Sequence, residues 1–363
     1  MAVPASMVAP RVEVSLDKIE ENARVVVEMC RRSGIGVAGV TKVTCGDPEV
    51  ARAMLRGGVR WIADSRLANL TRMRKAGISC ETLLLRAPML GEADEAVTVA
   101  DMSLISSVET ARALGEAARA RGVQHRVILM VDVGDLREGV PVDAALDVAG
   151  RMARVEGIRL HGIGTNVACY GGVMPTRENM SVLLRLRDRA RRDLGIDLEV
   201  ISGGNSSSIP LVRTGEVPHG INQLRIGESM LLGRDVTYRR PLPGMHLDAF
   251  VFAAQAIEVA RKPSVPRGEI GQDAFGKVRT FRDKGIRWRA ILACGRQDID
   301  PEGLRPLESG IDVLGASSDH LILDVEDADR EIRVGDEVRF TMSYGCLLAA
   351  MTSPYVHKVV TGR

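Results

Sequence analysis

The sequence predicts an α/β fold, a (β/α)8 barrel of the TIM type, followed by a smaller, mainly β C-terminal domain. Three observations predict it. The first two-thirds of the chain alternates between short apolar runs rich in Val, Ile and Leu and segments with helical spacing. The connections are a few residues long, as in repeated β–α units that build a parallel sheet covered by helices. After the run Arg239-Arg240-Pro241-Leu242-Pro243-Gly244, read as a linker, the pattern becomes strand-like and helix-poor. The expected division is residues 1–240 for the barrel and 241–363 for the β domain. A barrel of this kind needs about 200–250 residues, which the first segment supplies.

The apolar runs are Val12–Leu16, Val37–Thr41, Arg60–Ala63, Thr82–Leu85, Met102–Ile105, Val127–Val133, Leu160–Gly164, Leu198–Ile201 and Gln223–Ile226. They read as buried strands. Between them, Leu16–Arg32 opens on the start signals Ser15 and Asp17 and places Ile19, Ala23, Val26 and Val27 on one face. Further helical segments are Pro48–Arg56, Arg66–Ala76, Glu92–Ala100, Val108–Arg121, Val142–Arg154 and Arg177–Asp193. Gly77, Gly122 and Gly195 follow helical runs, where a left-handed cap favours glycine. No GxGxxG follows the first strand, which argues against an open dinucleotide-binding sheet. Past the proline run, Leu247–Ala256, Trp288–Ala293, Ile311–Leu314, Leu321–Val325 and Glu337–Met342 read as strands.

Composition narrows the function. Lys and Arg number 49 against 47 Asp and Glu, so no excess charge points to nucleic acid or an anionic membrane. Aromatic residues are 3% of the chain, too few for the stacking platforms of single-strand binders. No stretch approaches the roughly 20 apolar residues of a membrane span. The start MAVPASMVAP has no basic segment or sustained apolar run and reads as a short disordered lead. The six cysteines are scattered without a CxxC pair, as expected for reduced thiols in the cytoplasm and not for a metal site. Only seven basic residues are lysine, so a lysine in an apolar setting invites a reason.

In a parallel barrel the chemistry collects at the carboxyl ends of the strands. Lys42 ends the apolar run Val37-Ala38-Gly39-Val40, where its side chain is expected to be partly desolvated. Desolvation frees an amine for Schiff-base chemistry; the alternative is a snorkelling surface lysine. Ser202-Gly203-Gly204-Asn205-Ser206-Ser207-Ser208 reads either as a phosphate cradle or as a flexible turn. Arg225 ends another apolar run and, alone, reads as an ion-pair partner. Together at one barrel mouth, the three suit pyridoxal 5′-phosphate: an amine for the aldehyde, donors for the phosphate and a partner for the ring nitrogen.

At this point the chain resembles the fold-type III pyridoxal-phosphate enzymes. Within them it is similar to the alanine racemase family, in particular its ornithine racemase-like branch. The resemblance rests on Val40-Thr41-Lys42, Ile62-Ala63-Asp64-Ser65-Arg66, Ser202–Ser207, Arg225-Ile226-Gly227-Glu228, Gly315-Ala316-Ser317-Ser318-Asp319-His320 and Met351-Thr352-Ser353-Pro354-Tyr355. It implies an amino-acid racemase that moves the α-proton between two bases. It implies a Schiff base on Lys42, cofactor contacts from Asn166, Gly204, Asn205, Ser206, Ser207, Gly227 and Tyr355, and Arg225 against the ring nitrogen. It places Arg137 at the substrate carboxylate, with Ser318 and Asp319 also on the substrate side, and implies a head-to-tail homodimer. Two positions depart from the family. Leu292-Ala293-Cys294-Gly295-Arg296-Gln297-Asp298 carries arginine where a catalytic tyrosine is expected, and Asn166 stands in place of a ring-facing histidine. The second base is then sought among Tyr344, Cys294, Cys346, His320 and a water on Asp319, with Tyr344 first.

Three competing readings remain. A D-threonine-type aldolase or a decarboxylase shares the plan, but the aldolases use a metal-binding histidine where this chain reads Met342-Ser343-Tyr344-Gly345-Cys346. A non-catalytic pyridoxal-phosphate carrier matches the barrel alone, which the added β domain argues against. A repurposed active site is the third. Purified protein is expected to show a visible absorbance band with pyridoxal 5′-phosphate that Lys42→Ala abolishes; a wild type with no band after cofactor is added would overturn the cofactor reading.

Overall fold

The computed structural model describes residues 9–362, so the expected N-terminal lead lies almost wholly outside the described residues. The chain forms two compact units. One is Leu16–His246; the other joins the segment ending at Ser15 to Leu247–Gly362.

In the first unit, α1 (Leu16–Arg31) precedes strand β2 (Gly36–Val40), β1 (Arg11–Ser15) belonging to the second unit. Then come α2 (Pro48–Arg56), β3 (Trp61–Asp64), α3 (Leu67–Lys75), β4 (Thr82–Leu84), α4 (Ala93–Val99), β5 (Met102–Ile105) and α5 (Val108–Ala120). The series continues through β6 (His125–Asp132), the short β7 (Val140–Pro141), α6 (Ala145–Ala153), β8 (Ile158–Gly164) and α7 (Arg177–Leu194). It ends with β9 (Val200–Ser202), α8 (Ile209–Thr214), β10 (Gln223–Ile226) and α9 (Glu228–Leu232). Strands β2, β3, β4, β5, β6, β8, β9 and β10 pair in parallel, and β10 returns to β2, closing an eight-stranded barrel.

Alternation explains why these runs are apolar throughout. Ala38, Val40, Trp61, Ala63, Leu83, Met102, Leu104, Ile128, Met130 and Val200 fill the interior. Their neighbours face the helices: a side chain at Gly39 would meet Met54 and Val59, so glycine lets α2 close on β2. Ile19, Ala23 and Val26 of α1 are buried, as their spacing predicts. Asp47 caps α2 by accepting from Glu49 N and Val50 N, and Pro48 starts the helix. Thr176 and Asn179 form a reciprocal cap on α7, which Gly195 ends at φ 67°.

Two expectations are corrected. The run Val12–Leu16 is a strand, but not a barrel strand: β1 pairs antiparallel with β11 (Phe250–Pro263) and parallel with β17 (His357–Thr361) in the second unit. An apolar strand reads alike in either sheet, and only distant pairing decides. The proline run is not a free linker. Asp235 N donates to Arg240 O at 2.8 Å and Leu242 N to Gly233 O at 2.9 Å, folding it back on the first unit.

The second unit adds β12 (Ile286–Leu292), β13 (Leu304–Pro306), β14 (Asp312–Ala316), β15 (Leu321–Asp324) and β16 (Glu337–Met342). The sheet runs β13–β16–β11–β12–β15–β14 through antiparallel pairs. Phe252 and Phe340 lie opposite each other on β11 and β16, fully buried, with ring centroids 6.3 Å apart. A helix the strand-like pattern did not announce, α10 (Tyr344–Thr352), is capped by Ser343 accepting from Cys346 N.

At the start of β6, buried His125 shares a 2.9 Å hydrogen bond with Ser103. Burial pushes its imidazole down to about 4. The unfolded chain then binds more protons between that value and an ordinary histidine pKa of about 6.5. Stability is therefore expected to fall as pH drops through this window, by up to about 3 kcal/mol from His125. Urea denaturation of wild type and His125→Gln across pH 4–7 checks it; equal pH slopes would contradict the assignment.

Candidate active site

The carboxyl ends of the barrel strands bring most of the expected residues together. Arg225 points inward from β10, beside Ala38 of β2, whose methyl leaves room for it. Its side chain is buried. Nη1 donates to Ser202 Oγ at the end of β9. Nη2 donates to Thr165 O at 2.7 Å and to Asn166 Oδ1 at 3.4 Å, both just past β8. Burial pushes the guanidinium down to about 10, which leaves it a cation at neutral pH. Ser202 Oγ in turn donates to Gln223 Oε1 at 2.9 Å.

Asn205 ties the next layer. Its Nδ2 donates to Asn166 Oδ1 at 3.0 Å and Val167 O at 2.9 Å, and its Oδ1 accepts from Ser207 N at 2.7 Å. Asn166 Oδ1 thus receives two donors, while its buried Nδ2 has no partner among the described residues. Ser206 Oγ accepts from Gly227 N and Ser229 N, each at 3.3 Å, so its own hydrogen is left to donate elsewhere. Gly204 sits at φ 114°, a conformation that side chains resist, and a Cβ on Gly227 would press on Val40 at 3.0 Å. Gly204, Gly227 and the Ser206 hydroxyl thus stand together past the ends of β9 and β10.

Lys42 follows β2 in a single 3-10 turn that Cys45 ends at φ 54°. The residues around it are fixed: Thr41 Oγ1 donates to buried Asp64 at 2.8 Å, and Asp64 also accepts from Asn69 Nδ2 at 2.9 Å and Arg66 N at 3.0 Å. Burial pushes the Asp64 carboxyl up, and these donors oppose that shift. The expectation of a partly desolvated Lys42 is corrected: the residue is exposed, because the turn carries it out beyond the strand end. It lies at the mouth, where its charge favours the Glu228 carboxylate that burial pushes the other way.

Arg137 stands in the loop after β6, paired with Glu138 and donating to Cys169 Sγ at 2.9 Å. Tyr344, Tyr355, Ser318 and Asp319 belong to the second unit. Tyr344 is half-buried at the start of α10, Tyr355 is exposed, and Asp319 accepts from Gln297 at 2.8 Å beside exposed Ser318. Two candidate bases are corrected. Cys294 and Cys346 are buried, which pushes both thiols up, that of Cys346 to about 12, so neither is a thiolate at neutral pH. Arg296, at the position where tyrosine is expected, pairs with Glu302 and lies over Phe275. Sequence reasoning assigned no role to Asp64 or Thr165, and took Ser202 only as part of the Ser202–Ser208 run. Asp64 and Ser202 sit inside recognised motifs, but Asp64 is held by Thr41 past β2 and Asn69 of α3, and Ser202 by Arg225 and Gln223 of β10, contacts that spacing does not show.

A closed parallel barrel with a buried arginine and an exposed lysine at its carboxyl mouth defines a TIM-type α/β barrel, the class that carries its chemistry at that end. The comparisons with known proteins narrow it. The family model for the alanine racemase N-terminal domain matches residues 14–235, and that for a putative serine dehydratase domain matches residues 274–357. A lysine racemase of Thermotoga maritima is 47% identical over 97% of this chain and 99% of that protein. An ornithine racemase of Acetoanaerobium sticklandii is 42% identical over 96% and 99%. Alanine racemase from Streptomyces coelicolor superposes at a TM-score of 0.75, covering 97% of this chain and 98% of that one at 19% identity, a likeness of fold alone. This chain belongs to the alanine racemase family.

Asp64→Ala leaves the Thr41 hydroxyl and Asn69 amide without their buried acceptor. It is expected to cost about 2–4 kcal/mol. Urea denaturation measures this; a change below about 0.5 kcal/mol would mean the network does not hold the lysine turn.

Proposed function

We propose that the protein is a pyridoxal 5′-phosphate-dependent racemase acting on a basic amino acid of the lysine or ornithine type. The observation that carries it is the convergence of Lys42, Arg225 and the Asn205–Ser207 cradle at one barrel mouth. Full-length similarity to a lysine and an ornithine racemase supports the substrate class.

The residues present fit the cofactor. Asn166 Nδ2 is an orphaned buried donor, Gly204 and Gly227 keep space that a Cβ would fill, and Arg225 is a buried cation whose oxygen partners are neutral. Asn205, Ser206, Ser207 and the two glycines would hold the phosphate, with Tyr355 as a further contact. Arg225 would donate to the ring nitrogen without releasing its own proton. When bound, the cofactor supplies an electron-accepting ring that stabilises negative charge at Cα.

The chain's own groups handle the rest. Arg137 offers a planar fork to the α-carboxylate, and Ser318 and Asp319 are assigned to the substrate side. Lys42 Nζ would hold the cofactor, and its amine, when free, would take or return the α-proton on one face. The Tyr344 hydroxyl is assigned the opposite face. In a head-to-tail homodimer the second copy would supply the β-domain groups, an arrangement that full activity in a dilute monomer would contradict. No helix among the described residues is long and apolar enough to cross a membrane.

The match of residues 274–357 to a putative serine dehydratase domain keeps another Cα reaction as the second reading. Single enantiomers of lysine, ornithine, arginine, alanine and serine, incubated with the loaded protein and resolved by chiral chromatography, decide between them. Opposite enantiomers of the basic amino acids are expected. Only glycine with aldehyde, or only keto acid with ammonia, would move the protein to a different reaction.

A further inference from the structure

The loop after β6 carries an ion pair of which the mechanism uses one partner, Arg137, and leaves the other, Glu138, without a role. Arg137 and its chain neighbour Glu138 form a two-pronged pair, Nε and Nη2 against the two carboxylate oxygens. Each side chain is 36% exposed, at the boundary between protein and solvent. The loop leaves the carboxyl end of β6, and Arg137 Nη1 also donates to Cys169 Sγ at 2.9 Å in the segment after β8, so the pair stands at the carboxyl rim of the barrel.

The loop is built to hold that pair. Asp132 Oδ1 accepts from Gly134 N at 2.8 Å and Leu136 N at 3.3 Å. Buried Asp135 accepts from Tyr170 N at 2.9 Å and Val173 N at 3.1 Å, tying the loop to the segment after β8. Gly139, at φ 134°, passes so close to the end of β6 that a Cβ would lie 2.4 Å from Asp132 N. Beyond it, β7 pairs with Val131 and Asp132. Both ends of the segment that carries Arg137 and Glu138 are therefore fixed on β6, and the charges are preorganised.

A ligand carboxylate that takes the Nε–Nη2 edge of Arg137 displaces Glu138. The displaced carboxylate then stands beside a second carboxylate with no cation of its own. A neutral amino acid offers no remedy. A basic amino acid brings a second cation at the far end of its side chain. We propose that Glu138 is the residue that selects basic amino acids, exchanging Arg137 for the substrate's side-chain cation. One internal ion pair opens into two, with Arg137 on the α-carboxylate and Glu138 on the terminal ammonium. The inference rests on the racemase reading for the ligand class and for the role of Arg137, and it assigns the discrimination to a residue one step along the chain.

The test is equilibrium binding of racemic lysine and racemic norleucine to the cofactor-loaded protein, followed by calorimetry. Norleucine is lysine without the terminal ammonium, and racemic ligand prevents net turnover. Wild type is expected to prefer lysine by about ten- to a hundredfold, as a charge-assisted contact would give. Glu138→Gln should remove most of that preference by weakening lysine while leaving norleucine unchanged or tighter, since Arg137 is no longer masked. Glu138→Asp, which keeps the charge, should retain part of it. An unchanged lysine-to-norleucine ratio in Glu138→Gln, or an equal loss for both ligands, would overturn the proposal. Racemisation is assayed on the same samples: a wild type that racemises nothing defeats the functional reading, while the binding ratio still decides the role of Glu138.

Discussion

A buried arginine whose oxygen partners are all neutral governs this structure. Arg225 meets Ser202 Oγ, Thr165 O and Asn166 Oδ1, contributed by the ends of two neighbouring strands. Taking a guanidinium out of water is costly without such partners. The partners converge only because β8, β9 and β10 run parallel in one register. A slip of one residue would turn Arg225 toward the helices. The closed barrel is thus the condition for burying the charge.

The same register organises the rest of the cradle. Asn166 accepts from both Arg225 and Asn205, while its buried amide nitrogen has no partner among the described residues. Ser206 accepts two backbone N–H groups and keeps its own hydrogen for donation. On the other side of β10, Asp64 locks Thr41 and so the turn that carries Lys42. Rigid strand ends hold these groups, and the loop with Arg137 and Glu138 is pinned back onto β6.

The barrel was legible because β–α alternation is a local signal, and each apolar run marked a strand. The partner of the first run was not, since Val12 pairs with Phe252 across most of the chain. Lys42 was legible from the rarity of lysine and its place at a strand end, but its exposure depends on a turn that spacing does not describe. The Asn205–Ser207 run was legible as a motif with two readings, but its contact from Asn205 to Asn166 across strands was not. The β-domain residues were the least legible: α10 begins at Tyr344 in a stretch that reads as strand-rich, and the burial of Cys294 and Cys346 comes from packing.

The proposed function turns on Arg225, which would donate to the ring nitrogen of the cofactor without giving up its own proton. A glutamate there would instead hold a proton on that nitrogen and make the ring a stronger electron sink. The direct measurement is the partition of lysine between D-lysine and keto acid in cofactor-loaded wild type and Arg225→Glu, with folding verified by circular dichroism. The account predicts racemisation lowered by about a hundredfold or more and a larger share of keto acid in the variant. Unchanged racemisation and an unchanged partition would contradict it.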